Sequence, residues 1–147
     1  MKTLRDVLAQ AEHDSVAIRH FNVSDLVAGA TAQVALAAPD PDVQQVMSKQ
    51  LADIPGKEGL ILTVTYPPGG ADPIHRHDAH AFVYVLEGSI VMQLNGGAEV
   101  TLKPGQSFYE GPDDIHTVGR NASTTKPAKF VVFLVKNKGV PALIPVK

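Results

Sequence analysis

From residue 60 onward the chain alternates. LILTVTY (60–66) sets Leu62, Val64 and Tyr66 against Thr63 and Thr65. SIVMQL (89–94) sets Ile90, Met92 and Leu94 against Val91 and Gln93, and AEVTLK (98–103) alternates cleanly. A period of two places successive side chains on opposite faces of an extended strand. AFVYVL (81–86) and KFVVFLV (129–135) are apolar on both faces, and SFYE (107–110) and HTVGR (116–120) are shorter segments of the same kind. Asn95-Gly96-Gly97 is a hairpin turn, and Pro104-Gly105 breaks the run before it. Short strands at intervals of about 8–12 residues, separated by Gly, Pro and Asn turns, restrict this part of the chain to a β-sandwich or barrel.

The pattern begins after Pro55-Gly56, and what precedes it is different. Residues 1–55 read as a mixed N-terminal extension, and residues 56–147 as the barrel. In TLRDVLAQA, Thr3 caps a short amphipathic helix, with Asp6 three residues on and Leu4, Val7, Leu8 and Ala11 along one face. Asp40-Pro41-Asp42 opens either a second helix, with Val43, Val46, Met47 and Leu51 on one face, or a strand along a sheet edge.

Composition removes several function classes. There is no cysteine among the 147 residues, so disulfide frameworks, zinc fingers, iron–sulfur centres and thiol catalysis are excluded. The net charge of −2 gives no reason to expect nucleic acid as a partner. No charge-free apolar run is long enough to span a membrane. Charges within the first 25 residues leave no apolar signal core there, so a cytoplasmic location is expected. Leu26–Pro39 has the look of a late signal segment and keeps a periplasmic or secreted location as the alternative. From Lys126 to the end there are five lysines and no acid, which reads as a solvated edge. No Gly-X-Ser-X-Gly elbow and no nucleotide-binding glycine loop occurs.

The chemistry is concentrated in histidine. Four of the six histidines fall at two places: His75, His77 and His80 within GGADPIHRHDAHAFVYVLEG (69–88), and His116 in EGPDDIH. Imidazole is the commonest metal ligand and is largely neutral near pH 7. His75 and His77 are two apart, so on a strand they face the same way and can grip one ion. Arg76 and Asp78 then face the other way. Pro112-Asp113-Asp114 makes the turn that delivers His116 from a neighbouring strand. His13 and His20 are isolated and read as surface residues.

These residues resemble the cupin superfamily. Its first motif, G(X)5HXH(X)3–4E(X)6G, is matched by Gly69, His75, His77 and Gly88. Its second, G(X)5PXG(X)2H(X)3N, is matched by Gly105 and His116, with Asn121 one residue late and Gly111 and Asp113 in place of the proline and glycine. The resemblance covers about residues 58–135. It implies an all-β double-stranded β-helix, a jelly-roll barrel, that is usually a homodimer and carries a divalent transition metal (Fe, Mn, Ni, Cu or Zn) in its mouth. The family's glutamate ligand falls at position 81 or 82, where this chain has Ala81 and Phe82. Three ligands therefore carry over, and an open position suits catalysis. His80 is either a fourth ligand or, by strand alternation, a rim residue. Of Tyr109 and Glu110, one faces the barrel. Alternation counted from Ser107 points to Tyr109, and both are candidate proton-handling residues.

Three functions are consistent with this reading. The first is a dioxygenase-like metal enzyme acting on a small apolar or aromatic molecule, since the expected lining (Leu62, Val64, Val83, Val85, Ile90, Met92, Leu94) is apolar. The second is a non-catalytic ligand-binding or sensing module, and the third a sugar-acid isomerase or lyase. The outer faces of AFVYVL and KFVVFLV need cover, which agrees with a dimer.

Overall fold

The structure, a computed structural model, describes residues 37–147. Within these residues every regular element is a strand. The first sheet holds β1 (Asp42–Gln50), β2 (Lys57–Tyr66), β4 (Ala79–Glu87), β7 (Ser107–Glu110) and β9 (Ala128–Asn137), in the order β1-β2-β9-β4-β7. The second holds β3 (His75–Arg76), β5 (Ile90–Leu94), β6 (Val100–Leu102), β8 (His116–Asn121) and β10 (Ile144–Pro145), in the order β10-β3-β8-β5-β6. All pairings are antiparallel, and two such sheets face to face make the expected double-stranded β-helix.

The period-two reading is realised most clearly in β4. Ala79, Ala81, Val83 and Val85 are buried, while His80, Phe82, Tyr84 and Leu86 are exposed. In β9, Ala128, Phe130, Val132, Leu134 and Lys136 are buried in the same alternating fashion. Together with Leu60, Val64 and Tyr66 of β2 and Ile90, Met92 and Leu102 of the second sheet they form one core. Tyr66 packs edge-on against Phe130, with ring centroids 5.0 Å apart. Asn121, one residue late against the family motif, is buried and donates to the carbonyls of Tyr66, Pro67 and Lys126 while accepting from Ser123 N. It ties the end of β8 to the end of β2, and every hydrogen-bonding site it uses is met within the protein.

Residues 42–50 form the edge strand, not the second helix. They pair with β2 from Asp42↔Thr65 to Gln50↔Glu58, with a bulge between Gln45 and Met47. The residues proposed for a helical face include Val46 and Met47, which are exposed in the strand. Gln44, Gln45, Ser48, Lys49 and Gln50 leave too little apolar surface to hold a helix against the core. The free edge of β2 supplies backbone partners instead. The sheet thus begins ahead of residue 56. The capped helix read over TLRDVLAQA, and almost all of Leu26–Pro39, lie outside the described residues.

Candidate metal centre

Strand register brings the histidines together. His75 on β3 stands directly opposite His116 on β8, and their ring centroids are 4.7 Å apart. His77 follows on the same face two residues later. His116 comes off a turn braced by Asn95 and Asp114: Asn95 Nδ2 donates to Asp114 Oδ1, Ile115 N to Asn95 Oδ1, and Gly111 N to Asp114 Oδ2. The turn at Pro112-Asp113-Asp114 therefore does what its composition predicts.

The fourth member is Glu110. In β7 the pairing runs Ala81↔Glu110, Phe82↔Tyr109 and Val83↔Phe108. Ala81 and Val83 face the core, so Glu110 and Phe108 face it too. Glu110 is 3% exposed and Tyr109 is 47% exposed. This corrects the alternation counted from Ser107: Ser107 itself faces outward, and so does Tyr109. A carboxylate absent from position 81 arrives from the residue paired with it across the sheet.

His75, His77, Glu110 and His116 form a buried group whose ligand atoms all lie within 4.8 Å of one another. His75 Nε2 is 3.2 Å from His77 Nε2 and 3.3 Å from His116 Nδ1. Glu110 Oε2 is 3.4 Å from His77 Nε2 and 3.5 Å from His116 Nδ1. Two donors about 2.0–2.2 Å from one transition-metal ion at tetrahedral or octahedral angles stand roughly 3–3.5 Å apart. The spacing fits. The outer nitrogens also fit: His75 Nδ1–H donates to Pro73 O at 2.8 Å and His77 Nδ1–H donates to Ala142 O. Those bonds fix both tautomers with the Nε2 lone pairs turned inward. His116 Nε2 is buried without a partner, so the protein satisfies this ring on its cluster side alone. Three nitrogens and one carboxylate oxygen suit Fe, Mn, Ni, Cu or Zn.

His80 stays outside the group. It sits one step out of phase with Ala79 and Ala81, on the exposed face of β4, where its Nδ1 meets the Tyr109 hydroxyl at 2.7 Å. His80 and Tyr109 thus contact each other on the outside of the barrel, away from the other histidines. Arg76 points away from its neighbours as expected and pairs with Asp78.

The electrostatics divide the cluster. Burial, reinforced by neighbouring His77, lowers the His75 pKa to about 4. Burial also lowers His116. For His77 burial pulls down, but the hydrogen bond and charge of Glu110 outweigh it and the pKa rises. For Glu110 burial pushes up, and His77 together with the other imidazoles brings the net shift below the usual range. Within the cluster a proton is therefore favoured on the His77–Glu110 pair over His75 or His116.

Two further groups escaped the sequence reading. Asp72 lies in the same cavity, accepts from the Tyr66 hydroxyl, and is held by a backbone bond from its N to Gly119 O of 2.8 Å. Burial, with Glu110 adding to it, raises its pKa to about 6. Gly119 makes room here: a Cβ would fall 2.8 Å from His116 Cε1 and 3.0 Å from Asp72 Oδ2. The second group is the ion pair of buried Lys136 with partly exposed Glu58. Lys136 is thus no part of a solvated basic edge. The cavity that holds the cluster has a volume of about 600 Å³. Its walls are largely apolar, from Leu60, Leu62, Val64, Val83, Met92 and Phe130. Val85 and Ile90, expected there, lie fully buried in the core.

Comparison with known proteins agrees with the fold. A family model described as a cupin domain matches residues 62–134. No curated protein sequence matches the chain. A structure of an uncharacterised conserved protein with a double-stranded β-helix domain from Klebsiella pneumoniae is similar at TM-score 0.58 and 18% identity, covering 88% of this chain and 100% of that one. The polyketide cyclase RemF from Streptomyces resistomycificus is similar at TM-score 0.53 and 19% identity, with 84% and 87% covered. The DMSP lyase DddQ from Ruegeria pomeroyi gives TM-score 0.52 and 19% identity over 60% of this chain. This chain spans less than half of DddQ, 43% of its length. With both histidine motifs, the two facing sheets and the matching family model in place, the chain belongs to the cupins.

Proposed function

We propose that this cupin is a metal-dependent enzyme acting on a small, largely apolar organic molecule, with His75, His77, Glu110 and His116 as the metal ligands. The observation that carries the reading is the position of the four-donor group in an apolar cavity of about 600 Å³. Such a volume suits a small organic ligand, and the aliphatic and aromatic wall beside the donor group favours one with an apolar part. A bound transition metal supplies Lewis acidity and, if it is iron, manganese, nickel or copper, redox chemistry toward substrate oxygens and O₂. The chain's own residues do the rest. Pro73 O and Ala142 O hold two imidazoles in the ligating tautomer, and the apolar walls keep bulk water from the substrate.

Asp72 supports a second reading, a lyase or isomerase that moves a proton. It is a part-buried carboxyl with a pKa of about 6, hydrogen-bonded to Tyr66 and in the same cavity as the cluster. A base or acid near the working pH is what proton transfer requires. The test is elemental analysis of untagged protein, followed by oxygen-uptake and product screens with phenols and diketones. Oxygen consumed in step with substrate supports the oxygenase. Turnover without oxygen uptake that is lost in Asp72→Asn supports the proton-transfer reading. Binding without turnover leaves a ligand-binding cupin and overturns both.

The protein is proposed to act as a homodimer through the outer face of the first sheet. Phe82, Tyr84, Leu86, Tyr109 and Phe133 are all exposed there. Phe82 lies against both Tyr109 and Phe133, at 5.3 Å and 6.2 Å between ring centroids. A contiguous apolar patch of this kind is costly to leave in water. Phe82→Glu is expected to give monomers in sedimentation velocity. A wild-type protein that is monomeric at high concentration would remove this proposal.

A further inference from the structure

We propose that residues 138–146 form a strap that positions the metal site, and that Lys136 sets its place. The inference rests on the metal-site reading above and adds to it a part of the chain outside the ligand motifs. After β9 the chain reverses at Gly139, whose φ of 78° is in the left-handed region that favours glycine. The strap then runs back along the cavity, with Val140, Ala142 and Leu143 in its wall. Its end is fixed by the β10 pairs Ile144↔Arg76 and Pro145↔His75 and by Val146 N to Ile74 O, 3.1 Å. The strap therefore borders the strand that carries His75.

Two carbonyls on the strap matter. Ala142 O accepts from His77 Nδ1, which is the bond that turns the His77 Nε2 lone pair into the cluster. Two residues earlier, Val140 O accepts from Lys136 Nζ at 2.6 Å. Lys136 is 5% exposed, and its remaining contacts are Glu58 and Asn137 O at 3.4 Å. An ammonium has three hydrogens, and Lys136 has three acceptors. It has no donor left for an anionic ligand in the cavity, although it lines that cavity. A buried ion pair is weak evidence for stability, since well-packed apolar residues often do as well. What Lys136 provides that an apolar residue would not is a second hold on Val140, beside the backbone bond from Val140 N to Asn137 O (3.2 Å), and through it on Ala142 O and the ring of His77. Lys136 is thus a positioning residue, acting two steps from the ligand.

The experiment uses the full chain and the double variant Glu58→Leu/Lys136→Met. Removing both charges leaves no unpaired ion, so folding is retained. Two quantities are read. One is the Zn²⁺ dissociation constant, by competition with a chelator. The other is the His77 tautomer in metal-free protein, by ¹⁵N NMR at a pH where the ring is neutral. The expected result is a Zn²⁺ affinity lower by about ten- to a hundredfold, as for other residues that orient a ligand, and loss of the fixed Nδ1–H tautomer at His77. Unchanged affinity and an unchanged tautomer in the folded double variant would overturn the proposal while leaving the metal site standing. Wild-type protein that takes up no metal would overturn both, and is distinguishable because it fails before any variant is made. Should the double variant not fold, Glu58→Gln/Lys136→Met, which also removes both charges and keeps a polar group at position 58, is read in the same two ways.

Discussion

The inner and outer faces of the β4–β7 pair differ by one residue and hold different chemistry. On the inside Ala81 stands opposite Glu110, and the carboxylate joins three histidines. On the outside Phe82 stands opposite Tyr109, and His80 reaches the Tyr109 hydroxyl. Both faces offer a histidine and an ionisable oxygen. Only the inner one removes them from water and converges them on a point. Parity along the strand, not the kind of side chain, decides which pair makes a metal site. The small Ala81 on β4 matters as well, because it leaves the space that Glu110 enters from β7.

The largest effect expected on the inner face comes from a ligand histidine. His77→Ala should abolish stoichiometric metal binding while the barrel still folds, since the ring contributes to the cluster and not to the apolar core. Elemental analysis and circular dichroism check this, and a variant that keeps one equivalent of metal would break the assignment. Glu110→Gln should come next, weakening affinity by more than about a hundredfold, beyond the range seen for residues that merely orient a ligand. The comparison can then be sharpened by Ala81→Glu/Glu110→Ala, which moves the carboxylate to the cross-strand position. Recovery to within about tenfold of wild type would mean that the site asks for an inward carboxylate at this pair and is indifferent to the strand that bears it.

A pH series separates the charges inside the cluster. The His77 pKa is raised in the folded protein, so its ion pair with Glu110 contributes stability that is fully present below the unfolded value of 6.5. That contribution is lost as pH rises through the raised value. Metal binding runs the other way, because the ion must displace the His77 proton. Below the raised pKa the apparent affinity should fall about tenfold per pH unit. Well above pH 6.5 His75 and His116, both lowered, are neutral folded or unfolded and add little slope. The metal-induced rise in Tm should therefore grow with pH across this window. A rise independent of pH would mean that the His77–Glu110 pair holds no proton for the metal to displace.

Much of this was legible beforehand, and the limits have physical causes. Alternation in LILTVTY marks the residues of that strand that turn inward, whereas AFVYVL and KFVVFLV are apolar on both faces and only their place in the sheet decides which parity is buried. The His-X-His pair was readable from its two-residue spacing, and His116 from the turn before it and the family motif. Glu110 was recognisable as a candidate but not as a member of the cluster, because its strand is only four residues long and parity counted from one end has no second anchor. Its partner across the sheet, Ala81, supplies that anchor, and register between distant strands is not written in either segment alone. Lys136 was hidden by company: five lysines without an acid read as a solvated edge, and the compensating Glu58 lies 78 positions away. Residues 42–50 carry apolar residues at helical spacing, and the choice of strand was made by the open edge of β2.

The smallest effect belongs to the outer face. His80→Ala and Tyr109→Phe remove one exposed hydrogen bond, worth about 0.5–1.5 kcal/mol at most and less where water competes for it. Metal affinity in either variant should stay within about twofold of wild type, since neither side chain touches the four donors. Chelator competition measures this directly. A tenfold loss in His80→Ala would mean that the outer face is coupled to the inner one through β4, and the contrast between the two faces would no longer hold. If instead only the dimer is weakened, Tyr109 and His80 belong to the same apolar surface as Phe82, and the outer face serves association while the inner face binds the metal.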